Sequence, residues 1–183
     1  MKNTLIVNLF GAPCSGKSTS AAYIFAQLKM LGVDCEYVSE FAKDKVWEEN
    51  KKIFNNQFYI TGKQSWKIAR VNSQVDVIIN DSPILIGAVY TDRKYLKLAI
   101  IEEFLSYGDC NLNYVLNRNS DYNPNGRNQT EAEAQEIDRK IKEILSQNEI
   151  PYMEIQRSQE GCNEIIQLIL KILEYLKLNQ HEE

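Results

Sequence analysis

Eight consecutive residues carry the sharpest chemical signal in the chain. Gly11-Ala12-Pro13-Cys14-Ser15-Gly16-Lys17-Ser18 fits the spacing G-x-x-x-x-G-K-[ST] without a gap, and Thr19 follows. Glycines let a backbone wrap close to phosphate. Successive N–H groups at a helix N-terminus point at an anion, and the helix dipole favours negative charge there. Lys17 is placed to reach the β and γ phosphates, and the Ser18 hydroxyl to ligate Mg2+. Residues 11–19 therefore imply ATP or GTP as a bound nucleotide, with Mg2+. A strand–helix turn that binds nothing is the bland alternative. The context weighs against it, because the motif needs a strand before and a helix after. Both are present: the apolar run 5–10 ends at Gly11, and helical periodicity covers 17–31.

Two carboxylates fall where a nucleotide site needs them. Ligands of an open α/β sheet bind beyond the carboxyl ends of its strands. Glu40 follows a short strand at 34–39, and Asp81 follows another at 75–80. Glu40 is a candidate to take a proton from an acceptor hydroxyl or to orient it. Asp81 is a candidate to hold Mg2+, directly or through water. Each has a plainer role open to it, as a helix N-terminal charge or a turn former.

Arg118 ends a fourth strand, and Arg127 sits just after the Asn125-Gly126 turn. Phosphoryl transfer spreads charge over equatorial oxygens, and loop arginines can neutralise it while closure excludes water. The turn-rich stretch 118–130 reads as a lid, against a merely solvated loop. A helix over 53–72 offers an acceptor pocket through Gln57, Phe58, Gln64, Trp66 and Arg70. Glutamine pairs with a base edge, aromatics stack on the ring, and arginine holds a phosphate or sugar hydroxyl. Aromatics at helical spacing are more often core, so Phe58 and Trp66 carry both readings.

The elements that must position these groups alternate regularly. Strands at 5–10, 34–39, 75–80, 111–117 and 151–155 are interleaved with helices at 17–31, 41–50, 53–72, 94–107, 130–148 and 162–178. Pro83 suits the first turn of a short helix, and Thr130-x-x-Glu133 reads as a capping box. This alternation argues for a parallel sheet covered on both faces, in one domain over 1–178 with a polar tail at 179–183. The length of 183 residues and 44% hydrophobic content suit one soluble core. Net charge is −4, which disfavours a nucleic-acid partner yet leaves a local basic groove open. Cys14, Cys35, Cys110 and Cys162 form no C-x-x-C pair, and His181 is the only histidine. Thiols in a reducing cytoplasm are the expectation. No run reaches membrane-spanning length; the apolar helix 162–178 carries Lys171, Glu174 and Lys177, and it could cover the sheet or pair with a twin in a homodimer.

The chain resembles the small phage-encoded P-loop kinases often grouped with AAA-type ATPases. It is similar to the nicotinamide riboside kinase domain of the bacterial bifunctional NAD regulator and, more distantly, to thymidylate and deoxynucleoside kinases. The resemblance rests on residues 11–19, Ser39-Glu40-Phe41-Ala42-Lys43, Asn80-Asp81-Ser82-Pro83 and the stretch 118–129. It implies a three-layer P-loop NTPase fold of class α/β, with a five-stranded parallel sheet in the order 2-3-1-4-5. It also implies an acid at Glu40, a magnesium-associated acid at Asp81 and lid arginines at Arg118 and Arg127. Two departures stand out. Cys14 occupies a position where such kinases often carry glycine. Asp81-Ser82 replaces the Asp-Arg pair of thymidylate kinases.

These observations predict phosphotransfer from ATP to a small nucleoside or nucleotide: a deoxynucleoside, its monophosphate, or nicotinamide riboside. A modified base in phage DNA is a second acceptor class. A protein of another kind, in which bound nucleotide gates a partner contact, needs no acceptor pocket.

Overall fold

The computed structural model describes residues 3–49, 51–117 and 130–179. Its centre is a parallel sheet of β1 (Leu5–Phe10), β2 (Cys35–Val38), β3 (Val77–Asn80), β4 (Asn111–Asn117) and β5 (Met153–Gln156). The strand order is β2-β3-β1-β4-β5, as expected from the resemblance. Every residue of β1 is buried, which explains a run with no alternation: a central parallel strand has protein on both faces.

Among the described residues six α-helices flank the sheet: α1 (Lys17–Met30), α2 (Phe41–Trp47), α3 (Gln57–Ala69), α4 (Lys94–Leu105), α5 (Glu131–Gln147) and α6 (Gln159–Asn179). On one face Leu5, Val7 and Leu9 pack with Ala21, Ile24 and Leu28 of α1 and Ile165, Ile166 and Ile169 of α6. Helix α6 thus covers the sheet. On the other face Ile6 and Phe10 pack with Ile68 of α3, Ile100 and Phe104 of α4, and Ile137 and Ile141 of α5.

A polar row interrupts that second face. Asn8 stands in register with Asn80 on β3 and Asn113 on β4. The Asn8 amide donates to Asn111 Oδ1 (2.8 Å) and Asn113 Oδ1 (3.0 Å), and the Asn80 amide donates to Asn8 Oδ1 (2.9 Å). Buried amides must find partners, so this row is satisfied only when the three strands pair in this register.

Several boundaries differ from the periodicity. The helix expected over 53–72 is divided into a 3-10 turn (Lys51–Asn55) and α3, because the Asn56 side chain accepts the Tyr59 amide (3.1 Å) and caps a new start. The segment after Pro83 is a 3-10 helix (Ile84–Tyr90). Helix α6 opens earlier than residue 162, where Ser158 Oγ accepts the Gly161 amide (3.1 Å). The capping box at Thr130 and Glu133 is present, with the Thr130 amide donating to Glu133 Oε2 (2.7 Å). No described helix is long and apolar enough to cross a membrane.

Candidate active site

The loop between β1 and α1 adopts the backbone its glycines permit. Gly11 has φ +148° and Gly16 φ +90°. A methyl group on Gly11 would stand 2.5 Å from Ser15 Oγ, so the loop closes on itself where a side chain cannot fit. Cys14 has φ +68°, a left-handed conformation that costs a non-glycine residue about 1–2 kcal/mol. The glycine usual at this place in resembling kinases would adopt it without that cost.

Lys17 Nζ folds over the loop and donates to the carbonyls of Gly11 (2.7 Å) and Ala12 (3.2 Å). Ser15 Oγ is buried with no hydrogen-bond partner. A lysine turned back on its own loop, an orphaned hydroxyl and a cradle closed to side chains fit the phosphates of a nucleotide. Two long-range contacts brace the loop from outside. Asp138 Oδ1 on α5 accepts the Ala12 amide (2.6 Å), and Arg157, just after β5, donates from Nη1 to the Cys14 carbonyl (3.4 Å).

Beyond β2, Glu40 occupies the N-cap position of α2 in extended conformation, and its carboxylate makes no cap hydrogen bond. The carboxylate still stands at the N-terminus of α2, where the helix dipole favours its charge. Beyond β3, Asp81 is 1% exposed. Tyr37 donates its hydroxyl to Asp81 Oδ2 (3.0 Å), while Oδ1 is buried without a partner. An orphaned carboxylate oxygen on Asp81, with the Ser18 hydroxyl, suits Mg2+ and its waters. Among the described residues no group of three or more His, Cys, Asp or Glu side chains forms a metal cluster of the protein's own.

The two acids share neighbours. Burial raises the Tyr37 phenol well above its ordinary range, with Asp81 next in effect and Glu40 and Asp44 adding to it. Burial lowers Lys67, opposed by Asp44, Asp81 and Glu40 and assisted by Arg70. Glu40, Asp81 and Arg70 therefore act on one lysine. Lys67 Nζ donates to both the carbonyl and the hydroxyl of Ser39, at 2.8 Å each, and so fixes the residue before Glu40.

Gln64 does related work. It is 4% exposed. Its Oε1 accepts the Phe41 amide (2.9 Å) and its Nε2 donates to the Ser39 carbonyl (3.4 Å). Both functions of that amide are thus engaged by the backbone flanking Glu40. Gln57 donates to Thr61 Oγ1 (3.1 Å) and lies against Gly87, where an added methyl would meet Nε2 at 3.0 Å. Phe58 and Trp66 are 70% and 66% exposed, so helical spacing did not make them core. Arg118 and Arg127 lie outside the described residues.

The sequence reading missed Tyr37, Lys43, Lys67, Asp138 and Arg157. Lys43 had a signal: it follows Glu40 by one helical turn and faces the same end of the sheet. Asp138 and Arg157 had none, since their loop partners are 126 and 143 residues away.

The phosphate loop and the strand order agree with the family and the folds that the chain matches. A family described as AAA domain (AAA_28) matches residues 6–160. The chain belongs to that family. Among solved structures, this AAA domain is similar to deoxyadenosine kinase from M. mycoides with products dCMP and a flexible dCDP bound. The TM-score is 0.53 at 18% identity, over 93% of this chain and 99% of that one. The same enzyme with bound dCTP gives 0.50 at 17% identity, over the same shares. At such identity the likeness is one of fold. No curated protein matches this AAA domain in sequence.

Proposed function

We propose that the protein is an ATP-dependent phosphotransferase whose acceptor is a nucleoside or nucleotide bound beside α2 and α3. The observation that supports this reading is Asp81, buried at the end of β3 with one carboxylate oxygen unpartnered, together with the Ser39-Glu40 turn that Lys67 and Gln64 hold at the end of β2. A nucleotide-gated switch needs no such second set of polar groups.

Bound Mg2+-ATP supplies the phosphoryl group and the cation that screens its charge. The loop amides and Lys17 would hold the phosphates, and Ser18 and Asp81 would hold the metal. Glu40, with a carboxylate uncommitted to its helix, orients the acceptor hydroxyl and takes up its proton. Lys67 and Gln64 keep the Ser39-Glu40 turn in place, so Glu40 does not have to be ordered during the reaction. Arg70, the C-cap of α3, is the proposed contact for a sugar hydroxyl or phosphate, and Gln57 and Phe58, at the other end of the helix, are the proposed contacts for the base. Arg118 and Arg127 complete the proposal as charge-neutralising groups. Deoxynucleosides head the acceptor classes, because the deoxyadenosine kinase of like fold carries dCMP as a product.

The test is a panel of deoxynucleosides, their monophosphates, nicotinamide riboside and hydroxymethyluracil-containing DNA. Each is incubated with Mg2+-ATP and read by mass spectrometry, with Lys17→Ala as control. A phosphorylated deoxynucleoside absent from the control supports the reading. Label on DNA alone moves the assignment to the modified base. ATP binding with no phosphorylated product from any acceptor favours the nucleotide-gated protein.

A further inference from the structure

Helix α2 delivers a second lysine to the phosphate loop. Lys43 Nζ donates to Ser18 Oγ at 3.2 Å, across the space between the β2–α2 turn and the start of α1. The side chain is half-buried. Among the described residues no carboxylate lies within ion-pair distance of it, and Ser18 is its only hydrogen-bond partner. Its neighbour on the same helix behaves differently: Lys45 pairs with Glu48 and lies over the Phe41 ring. A partly desolvated ammonium held only by a neutral hydroxyl is a poor resting arrangement unless an anion joins it. The hydroxyl it holds belongs to the one loop residue whose lone pair the motif reserves for Mg2+. Lys43 and the metal cannot both use that oxygen in the same way. With Ser18 engaged by a metal, the Lys43 ammonium would be left beside the loop, on the helix that Glu40 opens.

We infer that Lys43 binds the terminal phosphate of the bound nucleotide, so that the phosphoryl group is held between Lys17 from the loop and Lys43 from α2. This assignment rests on the nucleotide-binding reading of the loop and extends it. It places a charge that follows the group being moved on the helix that also carries Glu40. Donor binding and the position of Glu40 are thereby linked through a single short helix, Phe41–Trp47. Lysine suits this role as a flexible point charge on a long stem, able to leave Ser18 and follow the phosphoryl oxygens.

The test compares a non-hydrolysable ATP analogue with ADP, both with Mg2+, by calorimetry on wild type, Lys43→Met, Lys43→Arg and Lys17→Ala. Losing one charge-assisted hydrogen bond to the terminal phosphate weakens the analogue about tenfold in Lys43→Met, with ADP changed by less than about twofold. Lys43→Arg retains most of the analogue's affinity. Circular dichroism checks that each variant is folded, and ADP affinity reports directly on the loop. Equal affinities of wild type and Lys43→Met for the analogue would overturn the assignment, as would an equal loss for both nucleotides. Wild type that binds neither nucleotide would overturn the reading of the loop as well. Binding that depends on Lys17 but not on Lys43 overturns only the present inference.

Discussion

Asp138 on α5 accepts the amide of Ala12, the second residue of the phosphate loop, at 2.6 Å across 126 positions of sequence. The loop is therefore not shaped by its glycines alone. A carboxylate from the helix that follows the 118–129 segment holds its first turn. A hydrogen bond to a charged group of this kind contributes about 1.5–3 kcal/mol. Asp138→Ala is expected to lose stability of that order in urea denaturation and to bind ATP more weakly. An unchanged ATP affinity would mean that the loop holds its shape unaided.

Gly16 lies under Arg157. A methyl group at Gly16 would stand 2.1 Å from Arg157 Cδ, and φ of +90° disfavours any side chain there. Gly16→Ala is expected to abolish nucleotide binding. Arg157→Ala removes the collision but leaves the backbone demand, so the double variant recovers binding only in part. Full recovery, measured by ATP titration, would assign the whole effect to the arginine.

The division between what could and could not be read from the sequence follows the range of the interactions. The phosphate motif and the capping box at Thr130 are set by neighbours within a few residues, whereas the strand order was legible only through the resemblance. The Asn8 row was invisible, because Asn80 and Asn113 reach Asn8 only once three strands pair. Phe58 and Trp66 misled because periodicity records a face and not what covers it. Gln64 was read as a ligand group since its chemistry suits one. Its distance from Ser39 and Phe41 became plain only in three dimensions.

Tyr37 and Asp81 form a pair with a pH signature. Tyr37 keeps its proton above the ordinary tyrosine range because burial, then Asp81, oppose the phenolate. A phenol whose folded pKa is raised stabilises the fold fully below pH 10, and this contribution falls away as pH rises beyond it. Tyr37→Phe is expected to destabilise the protein at pH 7 by about 1–3 kcal/mol, since Asp81 loses its donor in a buried site. The same variant should show a shallower loss of stability above pH 10 than wild type. Parallel curves would place the titration elsewhere.

Trp66 and Phe58 are exposed enough that truncation should leave the fold nearly untouched, within about 0.5 kcal/mol. If α3 lines the acceptor site, Trp66→Ala and Phe58→Ala raise KM for the acceptor while KM for ATP stays constant. Unchanged KM for both substrates would remove these aromatics from the site.

Glu40 gives the sharpest internal control. Glu40→Gln keeps the size of the side chain and removes its capacity to take a proton. The expected result is a fall in kcat of about 10²–10⁴-fold with ATP binding intact, as for loss of a general base. A fall in ATP affinity with kcat preserved would make Glu40 part of donor binding.

The fate of the γ-phosphate decides whether the protein is a phosphotransferase. Protein, Mg2+, γ-labelled ATP and the deoxynucleoside panel are incubated together, and label is measured on the acceptor and as free phosphate. Label is expected on one acceptor in equal amount to ADP formed, and lost in Lys17→Ala. Label released only as free phosphate, at a rate indifferent to every acceptor, would contradict it.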